Sequence, residues 1–402
     1  MNRVLHFVRR LRIPHSEMKK YFCFGICWAF ILPVKWGFTP RGWFASRQCI
    51  NWKRCKKDIV YRANWLCEKV IVEPKTLLAS MPQFLGNHYC CEWAIYSCSM
   101  LVASLMNISR IYPEEKKDNL SRMAKLIDII LSPEIRSYDT NSWNEDALRS
   151  LSGDKSHMTY LSILAWTITN YKMTGGDNRF DTLLDECCEA LHRRMLKSHD
   201  LNLQSFPLPV IFFPDMLVTI VALKNYSILN KGRYGETVQS WIRKARHEWM
   251  DEKTGLLQAY LYYGNNRRKK QNVRGSYSAL SCYYLTLIDK EFAEEQYEKM
   301  KTALLQSRPV TGIREYIDKT PYLSFDVDAG PIALGLSPSG TAFAIGSATF
   351  FNDFKLRTRL LRSGEIVGQT VFGRNKRHYR LGELVIVGES VVLAMKTNIQ
   401  SE

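Results

Sequence analysis

The sequence predicts an all-α protein, an (α/α)6 toroid or barrel in which six inner helices alternate along the chain with six outer helices. Three observations lead to this prediction. After residue 56 nearly every long periodic segment has the spacing of a helix, the segments are alternately apolar all round and charged on one face, and the connections are alternately short and long. Helices that are apolar all round are buried, whereas helices with one polar face lie at a surface.

Six segments are apolar nearly all round and are the predicted inner helices: 92–108, 157–171, 215–229, 276–288, 340–351 and 381–395. Six segments carry one charged face and are the predicted outer helices: 56–71, 113–131, 179–196, 233–250, 290–305 and 353–367. Short turn sequences such as TGGDN (174–178) and NKG (230–232) lead from an inner to an outer helix. The chain therefore reads as a ring of helical hairpins.

The connections from an outer to the next inner helix are long, and they cover 132–156, 197–213, 251–274 and 306–338. Loops of more than about 12–15 residues are uncommon and usually functional. In an alternating ring these connections all lie at one end, together with the N-termini of the inner helices and the positive ends of their dipoles. The sequence therefore predicts the mouth of a central cavity at this end.

The stretch DVDAGPIALGLSPSGTAFAIGSA (326–348) places two carboxylates, Asp326 and Asp328, directly before a small-residue helix. We expect residues 326–340 to form one of the long loops, so that both carboxylates lie over the mouth. GLSPSG (335–340) faintly resembles a nucleophile turn. Because no strand is predicted before it, we interpret it as the start of a helix.

The junctions before the other inner helices also offer acids, histidines and tyrosines, which suit general acid–base chemistry because burial can tune their pKa values. The catalytic candidates are His157, Tyr277, Asp215, Asp326 and Asp328. The candidates for substrate binding are His88, Glu92, Trp143, Asp154, Tyr160, Arg314, Glu315 and Tyr379. Each has a structural alternative. Asp154 and Asp215 stand where helix caps stand. Tyr277 could be a core side chain, and Arg314 and Glu315 could form a plain ion pair that holds a loop.

Several motifs together resemble the linalool dehydratase/isomerase family across residues 85–395. They are GDKSHMTYL…GGDNRFD, GRYGETVQSWI…WMDEKTGLL, GSYSALSCYYL, GIREY and DVDAGPIALG…GTAFAIGSA. The resemblance implies an (α/α)6 barrel that is often an oligomer. It also implies cofactor-independent dehydration and isomerisation of a terpene alcohol in a mostly apolar cavity.

The resemblance places the family's catalytic histidine on His157 and its pocket tyrosine on Tyr277. It places the Arg-Glu pair before the fifth inner helix on Arg314 and Glu315. The family's two cysteines near the third inner helix have no counterpart in FFPDMLVTIV, and its N-terminal catalytic aspartate has none that we identify.

Three functions follow as hypotheses. The first is a lyase or isomerase that removes a hydroxyl from a partly apolar small-molecule substrate, with His157, Tyr277 and the aspartates as acids and bases. The second is a glycan-processing hydrolase or lyase, which needs two carboxyls about 5–10 Å apart and for which Trp143 is the candidate sugar platform. The third is a membrane-tethered scaffold that binds a ligand. No GxSxG, P-loop, GxGxxG or HExxH motif is present, so no cofactor is predicted.

The N-terminal segment, residues 1–55, is distinct from the predicted barrel domain, residues 56–402. Thirteen lysines and arginines against one acid give residues 1–57 a net charge of +12, out of +17 for the chain. Because no nucleic-acid-binding motif accompanies this charge, nucleic-acid binding is not predicted. The apolar run at 21–38 is predicted to be a membrane anchor, with the barrel on the exported or, alternatively, the cytoplasmic side. A buried or surface-lying segment is the other interpretation.

The eleven cysteines are odd in number and include two adjacent pairs, a pattern that does not favour a framework of disulfide bonds. This argues against an oxidising compartment and stands in tension with the exported alternative. No pair of C-x-x-C motifs is present, so a metal site is not predicted either.

Overall fold

The structure is a computed structural model that describes residues 52–264, 267–270, 273–318 and 323–400. The predicted anchor at 21–38 lies outside the described residues and stays a prediction. The described residues form fourteen α-helices: α1 (Trp52–Val70), α2 (Pro74–Ala79), α3 (Asn87–Ile111), α4 (Lys116–Ile130), α5 (Pro133–Trp143), α6 (Met158–Met173), α7 (Asp181–Lys197), α8 (Phe213–Leu229), α9 (Gly235–Glu248), α10 (Gly275–Ile288), α11 (Lys290–Leu304), α12 (Pro338–Phe350), α13 (Phe354–Gly368) and α14 (Ile386–Lys396).

Six of these helices form a closed ring within the described part of the chain. They are α3, α6, α8, α10, α12 and α14, and each packs on the next, with α14 returning to pack on α3. The outer helices α1, α4, α7, α9, α11 and α13 pack against this ring from outside. The predicted (α/α)6 barrel of alternating inner and outer helices is confirmed.

The two kinds of helix bury different shares of their surfaces, as their sequences require. The inner helix α6 is buried along its whole length from Met158 to Tyr171. The outer helix α9 buries one stripe, which consists of Thr237, Val238, Trp241, Ile242 and Ala245. This spacing repeats about every 3.6 residues, so one face of α9 meets the ring and the charged face meets solvent.

Helix starts follow local capping chemistry. Asp289 accepts a hydrogen bond from the backbone nitrogen of Phe292 at 2.8 Å and caps α11. Asp353 caps α13 in the same way, through the nitrogen of Leu356 at 3.1 Å. Each cap satisfies a backbone donor that the first turn leaves unpaired. Because these caps follow the inner helices α10 and α12 directly, the inner-to-outer turns stay short.

The long connections carry more regular structure than the sequence predicts. Helix α5 lies within the connection 132–156, and the other connections contain ten short strands: β1 (Val210–Phe212), β2 (Tyr260–Gly264), β3 (Arg267–Lys270), β4 (Leu305–Gln306), β5 (Gly312–Arg314), β6 (Leu323–Asp326), β7 (Gly330–Ala333), β8 (Leu336–Ser337), β9 (Thr370–Phe372) and β10 (Arg377–Tyr379). All the pairs among them are antiparallel.

Two expectations about residues 326–340 need correction. Strands β6 and β7 pair as a hairpin, so the segment is not an open loop. Strand β8 pairs with β5 directly before α12, so a strand does precede the helix. Strands of two to four residues depend on their partners and leave no periodic pattern in the sequence. The predicted helix start is nevertheless confirmed, because the Ser337 hydroxyl caps α12 through the nitrogen of Gly340 at 3.1 Å.

The ring closes through a buried cluster of charges between α1, α14 and strand β9. Arg62 on α1 is fully buried and its guanidinium contacts Glu389 at 2.5 Å, Asp58 at 3.3 Å and the hydroxyl of Thr370 at 2.8 Å. Lys396 pairs with the other oxygen of Asp58. These charges join the first and last helices of the barrel.

Within the described residues, one helix, α3, is long and apolar enough to cross a membrane. It is the first inner helix of the ring, and most of it is buried inside the barrel. Its length and hydrophobicity therefore follow from its place in the core.

Candidate active site

A cavity opens at the end of the barrel where the inner helices begin. On α3, Glu92 and Tyr96 keep accessible surface, whereas residues 97–109 are all buried. Tyr96 lies nine residues after the start of the helix, about 13 Å along its axis. The charge of Glu92 acts on Asp215 from α8 and on Asp328 from the β6–β7 hairpin, so these three carboxylates face one another across the interior. These partly accessible side chains mark this end as the mouth of the candidate cavity.

Asp215 is the carboxyl with the most strongly shifted pKa at this mouth. It lies in the first turn of α8, after Phe213 and Pro214, and so it is not the helix cap, which is Phe212. Burial raises the pKa of Asp215 to about 7, a hydrogen bond from Ser205 opposes this, and the charges of Glu92 and Asp328 add to it. Near neutral pH this carboxyl is therefore protonated about half of the time.

Asp328 is a second carboxyl with a raised pKa. Burial and the charge of Asp326 raise its pKa to about 6, whereas Arg274 and a hydrogen bond from Tyr277 lower it. The Tyr277 hydroxyl donates to Oδ2 of Asp328 at 2.8 Å. Although 45% of the Asp328 side chain is accessible, that surface faces the cavity, where protein atoms replace much of the surrounding water.

The hairpin that presents Asp328 is held in place by its own backbone. Oδ1 of Asp326 accepts hydrogen bonds from the backbone nitrogens of Asp328 at 2.9 Å and Ala329 at 3.0 Å. This is the local turn chemistry for which aspartate is favoured. The carbonyl of Ala329 in turn accepts from the nitrogen of Ser339 at 3.2 Å, which ties the hairpin to the start of α12.

Arg274, just before α10, links three acids at the mouth. Its guanidinium lies 2.7 Å from Glu315, 2.8 Å from Asp326 and 3.9 Å from Asp328. Glu315 is fully buried, and it also accepts hydrogen bonds from the nitrogen and the hydroxyl of Ser276 at 3.0 and 2.9 Å. The ionic partner of Arg274 is thus anchored to the first turn of α10.

The plain ion pair between Arg314 and Glu315, which was the structural alternative to substrate binding, does not form. Arg314 donates instead to the carbonyl of Ala303 at 2.9 Å, at the end of α11. Consecutive residues of an extended chain point to opposite sides, and these two follow each other at the end of β5. Glu315 therefore faces Arg274 and the cavity side, whereas Arg314 faces away.

Aromatic rings line the mouth beside the carboxyls. The ring of Phe212 lies 5.5 Å from Tyr260 and 6.0 Å from Tyr277, measured between centroids. On the α3 side, Nε2 of His88 lies 3.5 Å from Glu92. Burial lowers the pKa of His88, but the carboxylates of Glu92 and Asp139 outweigh this and raise it overall. The mouth thus combines flat apolar rings with groups that bind hydroxyls.

His157 is joined to this group through Asp139, the carboxylate that also acts on His88. It is fully buried, with a left-handed backbone (φ 47°), and its Nδ1 lies 2.6 Å from Asp139. Its Nε2 lies 3.1 Å from Glu145, so both ring nitrogens face carboxylates. Burial raises the pKa of Asp139, and His157 opposes this rise. Trp143 is buried against the histidine, with ring centroids 5.4 Å apart, and so it offers no exposed platform.

Three further candidates lie away from the mouth carboxyls. Asp154 is at the surface, in an ion pair with Lys197 at 2.6 Å. Tyr160 is buried and donates to the carbonyl of Ile130 on α4 at 3.1 Å. Tyr379 lies under the Arg62 guanidinium, 4.3 Å from its ring centroid, in the charge cluster that closes the ring.

The sequence missed several residues that the barrel brings to the mouth. Ser205 and Tyr260 lie in long connections, and Tyr96 lies about two and a half turns beyond the start of α3. The sequence carries no local signal for them, because only ring closure places them near Asp215. In the part of the chain that the structure describes, no group of three or more His, Cys, Asp or Glu residues could hold a metal ion.

Replacing Arg274 by methionine is expected to raise the pKa of Asp328 above about 6, because the guanidinium is the cation that favours its charged form. Carbon-detected NMR titration of aspartate carboxyls measures this shift. The matched control is Arg314→Met, since Arg314 donates to a backbone carbonyl away from the mouth. An unchanged Asp328 pKa in Arg274→Met would contradict the described geometry.

Comparison with known proteins gives fold relatives and no family. No protein-family model and no curated protein matches the chain. A glycoside hydrolase from family 105 of C. acetobutylicum ATCC 824 is similar in structure with 14% identity and a TM-score of 0.47, over 75% of this chain and 92% of that chain. An unsaturated glucuronyl hydrolase specific for heparin has 11% identity and a TM-score of 0.49, over 75% and 85%.

The GH76A α-1,6-mannanase from Salegentibacter sp. HEL1_6 has 9% identity and a TM-score of 0.48, over 84% of this chain and 98% of that chain. At these identities and TM-scores the similarity does not bear on the substrate of this chain. Support for the linalool dehydratase/isomerase resemblance is absent from these comparisons, whereas the (α/α)6 barrel stands on its own helix contacts.

Proposed function

We propose that the cavity catalyses acid–base cleavage of a C–O bond in a hydroxyl-rich substrate, and that the protein is a glycan-processing hydrolase. One observation carries the proposal: two carboxyls with raised pKa values, Asp215 near 7 and Asp328 near 6, face the same cavity. Two titratable groups whose environments separate their pKa values suit the division of labour between an acid and a base.

Asp215 is the general acid. With a pKa of about 7 it keeps a proton at neutral pH and can give it to the glycosidic oxygen as the bond to the leaving group breaks. Asp328 has the lower pKa of about 6, so it is the ionised partner. It accepts a proton from the attacking water or stabilises the positive charge that develops on the sugar.

The composition of the mouth supports a hydroxyl-rich substrate over an apolar one. The carboxyls of Glu92, Asp215 and Asp328 and the phenol of Tyr277 are strong partners for hydroxyls. Each carboxyl already has a partner within the protein, and its remaining lone pairs can accept hydrogen bonds from several substrate hydroxyls, whereas an apolar alcohol supplies only one. The rings of Phe212 and Tyr260 offer flat apolar surfaces for the face of a sugar ring.

A hydro-lyase of the linalool dehydratase/isomerase kind is the second candidate. The observation that favours it is the 2.8 Å hydrogen bond from Tyr277 to Asp328, a pair that can take a proton from carbon while Asp215 protonates a leaving hydroxyl. In this candidate His157 is a positioning residue, because both of its nitrogens already face carboxylates.

A pH profile of kcat/KM on the first cleaved glycan tests the division of roles. Asp215 must be protonated, so activity is expected to fall as pH rises through about 7; Asp328 must be ionised, so activity falls as pH drops through about 6. The profile is therefore a bell centred between these values. A flat profile, or an optimum well above pH 8, contradicts these roles.

Reaction in water that carries a heavy isotope of oxygen separates the two candidate functions. A hydrolase incorporates one heavy oxygen from water into its product, whereas a hydro-lyase releases water and incorporates none. The screen uses neutral, cationic and anionic oligosaccharides for the first function and a tertiary allylic alcohol for the second. Incorporation into a new reducing end supports the hydrolase.

A further inference from the structure

We propose that this cavity is a blind pocket that admits only the end of a glycan chain, so that the enzyme releases one terminal sugar at a time. The inference rests on the proposed hydrolase function and deepens it. It comes from a layer of aromatic side chains, defined here as the floor, that consists of Tyr96, Trp166 and Tyr284.

The floor spans the inside of the ring. Trp166 on α6 and Tyr284 on α10 meet edge to face, with ring centroids 5.6 Å apart. These two helices are not neighbours, because α8 lies between them in the ring. A contact between them must therefore cross the interior of the barrel.

Tyr96 completes the floor from the opposite side. It comes from α3, which faces α10 across the ring. Burial raises the pKa of Tyr284 and Tyr96 raises it further, so the two phenols lie close together near the barrel axis. The charge of Asp215 also raises the pKa of both tyrosines, so the floor lies near the proposed general acid.

Beneath the floor the barrel is filled. In a hollow ring each inner helix would keep one accessible face. Instead five of the six inner helices have long described stretches that are buried without interruption: 97–109 of α3, 158–171 of α6, 216–223 of α8, 278–286 of α10 and 343–350 of α12. On α14, Val387, Gly388 and Val392 are partly accessible. A polymer therefore cannot thread through the barrel.

The depth of the pocket sets the length of the released product. Glu92, whose charge acts on Asp215 and Asp328, and Tyr96 of the floor lie on the same helix. Four residues separate them, about 6 Å along the axis, which is close to the length of one sugar ring. One sugar unit therefore fits between the floor and the bond that Asp215 protonates.

The test is product analysis of the wild-type protein on reducing-end-labelled hexasaccharides of mannan, chitosan and polygalacturonate. The expected first products are a monosaccharide and a pentasaccharide, followed by stepwise shortening. Labelled fragments of intermediate length from the earliest time points would overturn the blind pocket and leave the hydrolase function intact. A folded protein that cleaves none of the chains would count against the hydrolase function itself, and the inference would fall with it.

The floor variant Tyr96→Ala deepens the pocket from its accessible side and is expected to release disaccharide together with monosaccharide. Tyr96→Phe keeps the ring and is the matched control, with monosaccharide as its expected product. Disaccharide release at the same share in both variants, or in neither, would mean that the floor does not set product length. Because the wild-type product pattern is measured first, the inference does not depend on the folding of either variant.

Discussion

Asp215→Asn is expected to reduce kcat/KM by about 10²–10⁴-fold, because the amide cannot deliver the proton that the leaving oxygen needs. Initial rates near pH 6.5 on the first cleaved substrate measure this loss. Asp154→Asn is the matched control, since Asp154 is a surface carboxylate paired with Lys197, and its activity is expected to stay unchanged. Full activity in Asp215→Asn would remove the proposed general acid.

The same substitution is expected to stabilise the fold above neutral pH. The pKa of Asp215 is raised to about 7 in the folded protein, so the folded state holds a proton that the unfolded chain releases above about pH 4. The wild-type carboxyl therefore destabilises the fold progressively between about pH 4 and 7, by at most about 4 kcal/mol for a shift of three pH units.

Thermal unfolding at pH 5 and pH 8 checks this sign. Asp215→Asn is expected to raise Tm relative to the wild type at pH 8 and much less at pH 5. A variant that is inactive yet more stable has lost a catalytic group and not its fold. A variant that loses stability at both pH values would indicate that Asp215 has a structural role.

Arg62→Met is expected to lower the free energy of unfolding by about 3–5 kcal/mol, the largest stability effect that we predict. Arg62 is fully buried between Glu389 and Asp58, and its removal leaves the buried carboxylate of Glu389 without the cation that pairs with it. Asp58 keeps its pair with Lys396, so the substitution removes the Arg62–Glu389 link between the first and last helices and weakens ring closure without abolishing it. Urea unfolding followed by circular dichroism measures the change.

Arg179→Met is the matched control for Arg62→Met. Arg179 pairs with Asp128 at 2.6 Å, but the two side chains are 55% and 42% exposed. Exposed pairs contribute about 0–1 kcal/mol, so a small change is expected. Equal losses in the two variants would mean that the buried cluster does not hold the ring closed.

The fold was predictable because one physical rule repeats along the chain. An inner helix must be apolar all round and an outer helix on one face, and the sequence keeps this alternation through α14. Helix α10 was expected at 276–288 and observed at Gly275–Ile288. The hairpin at 323–333 was missed, because its strands gain stability from pairing across the chain and not from their own pattern.

The site was predictable only in part. Locating every inner helix start at one mouth brought Asp215, Tyr277 and Asp328 together correctly. The same logic selected His157. Both nitrogens of its ring face carboxylates, those of Asp139 and Glu145, and sequence position cannot reveal these contacts. It also placed Arg314 and Glu315 together as binding candidates, whereas extended backbone directs these neighbours to opposite sides.

The most direct measurement of the central claim needs no substrate. Carbon-detected NMR titration of the aspartate carboxyls, assigned with Asp215→Asn and Asp328→Asn, reports the pKa of each group in the free protein. We predict one carboxyl that titrates near pH 7 and disappears in Asp215→Asn, and one near pH 6 that disappears in Asp328→Asn. If both carboxyls titrate below pH 5, the acid–base pair does not exist.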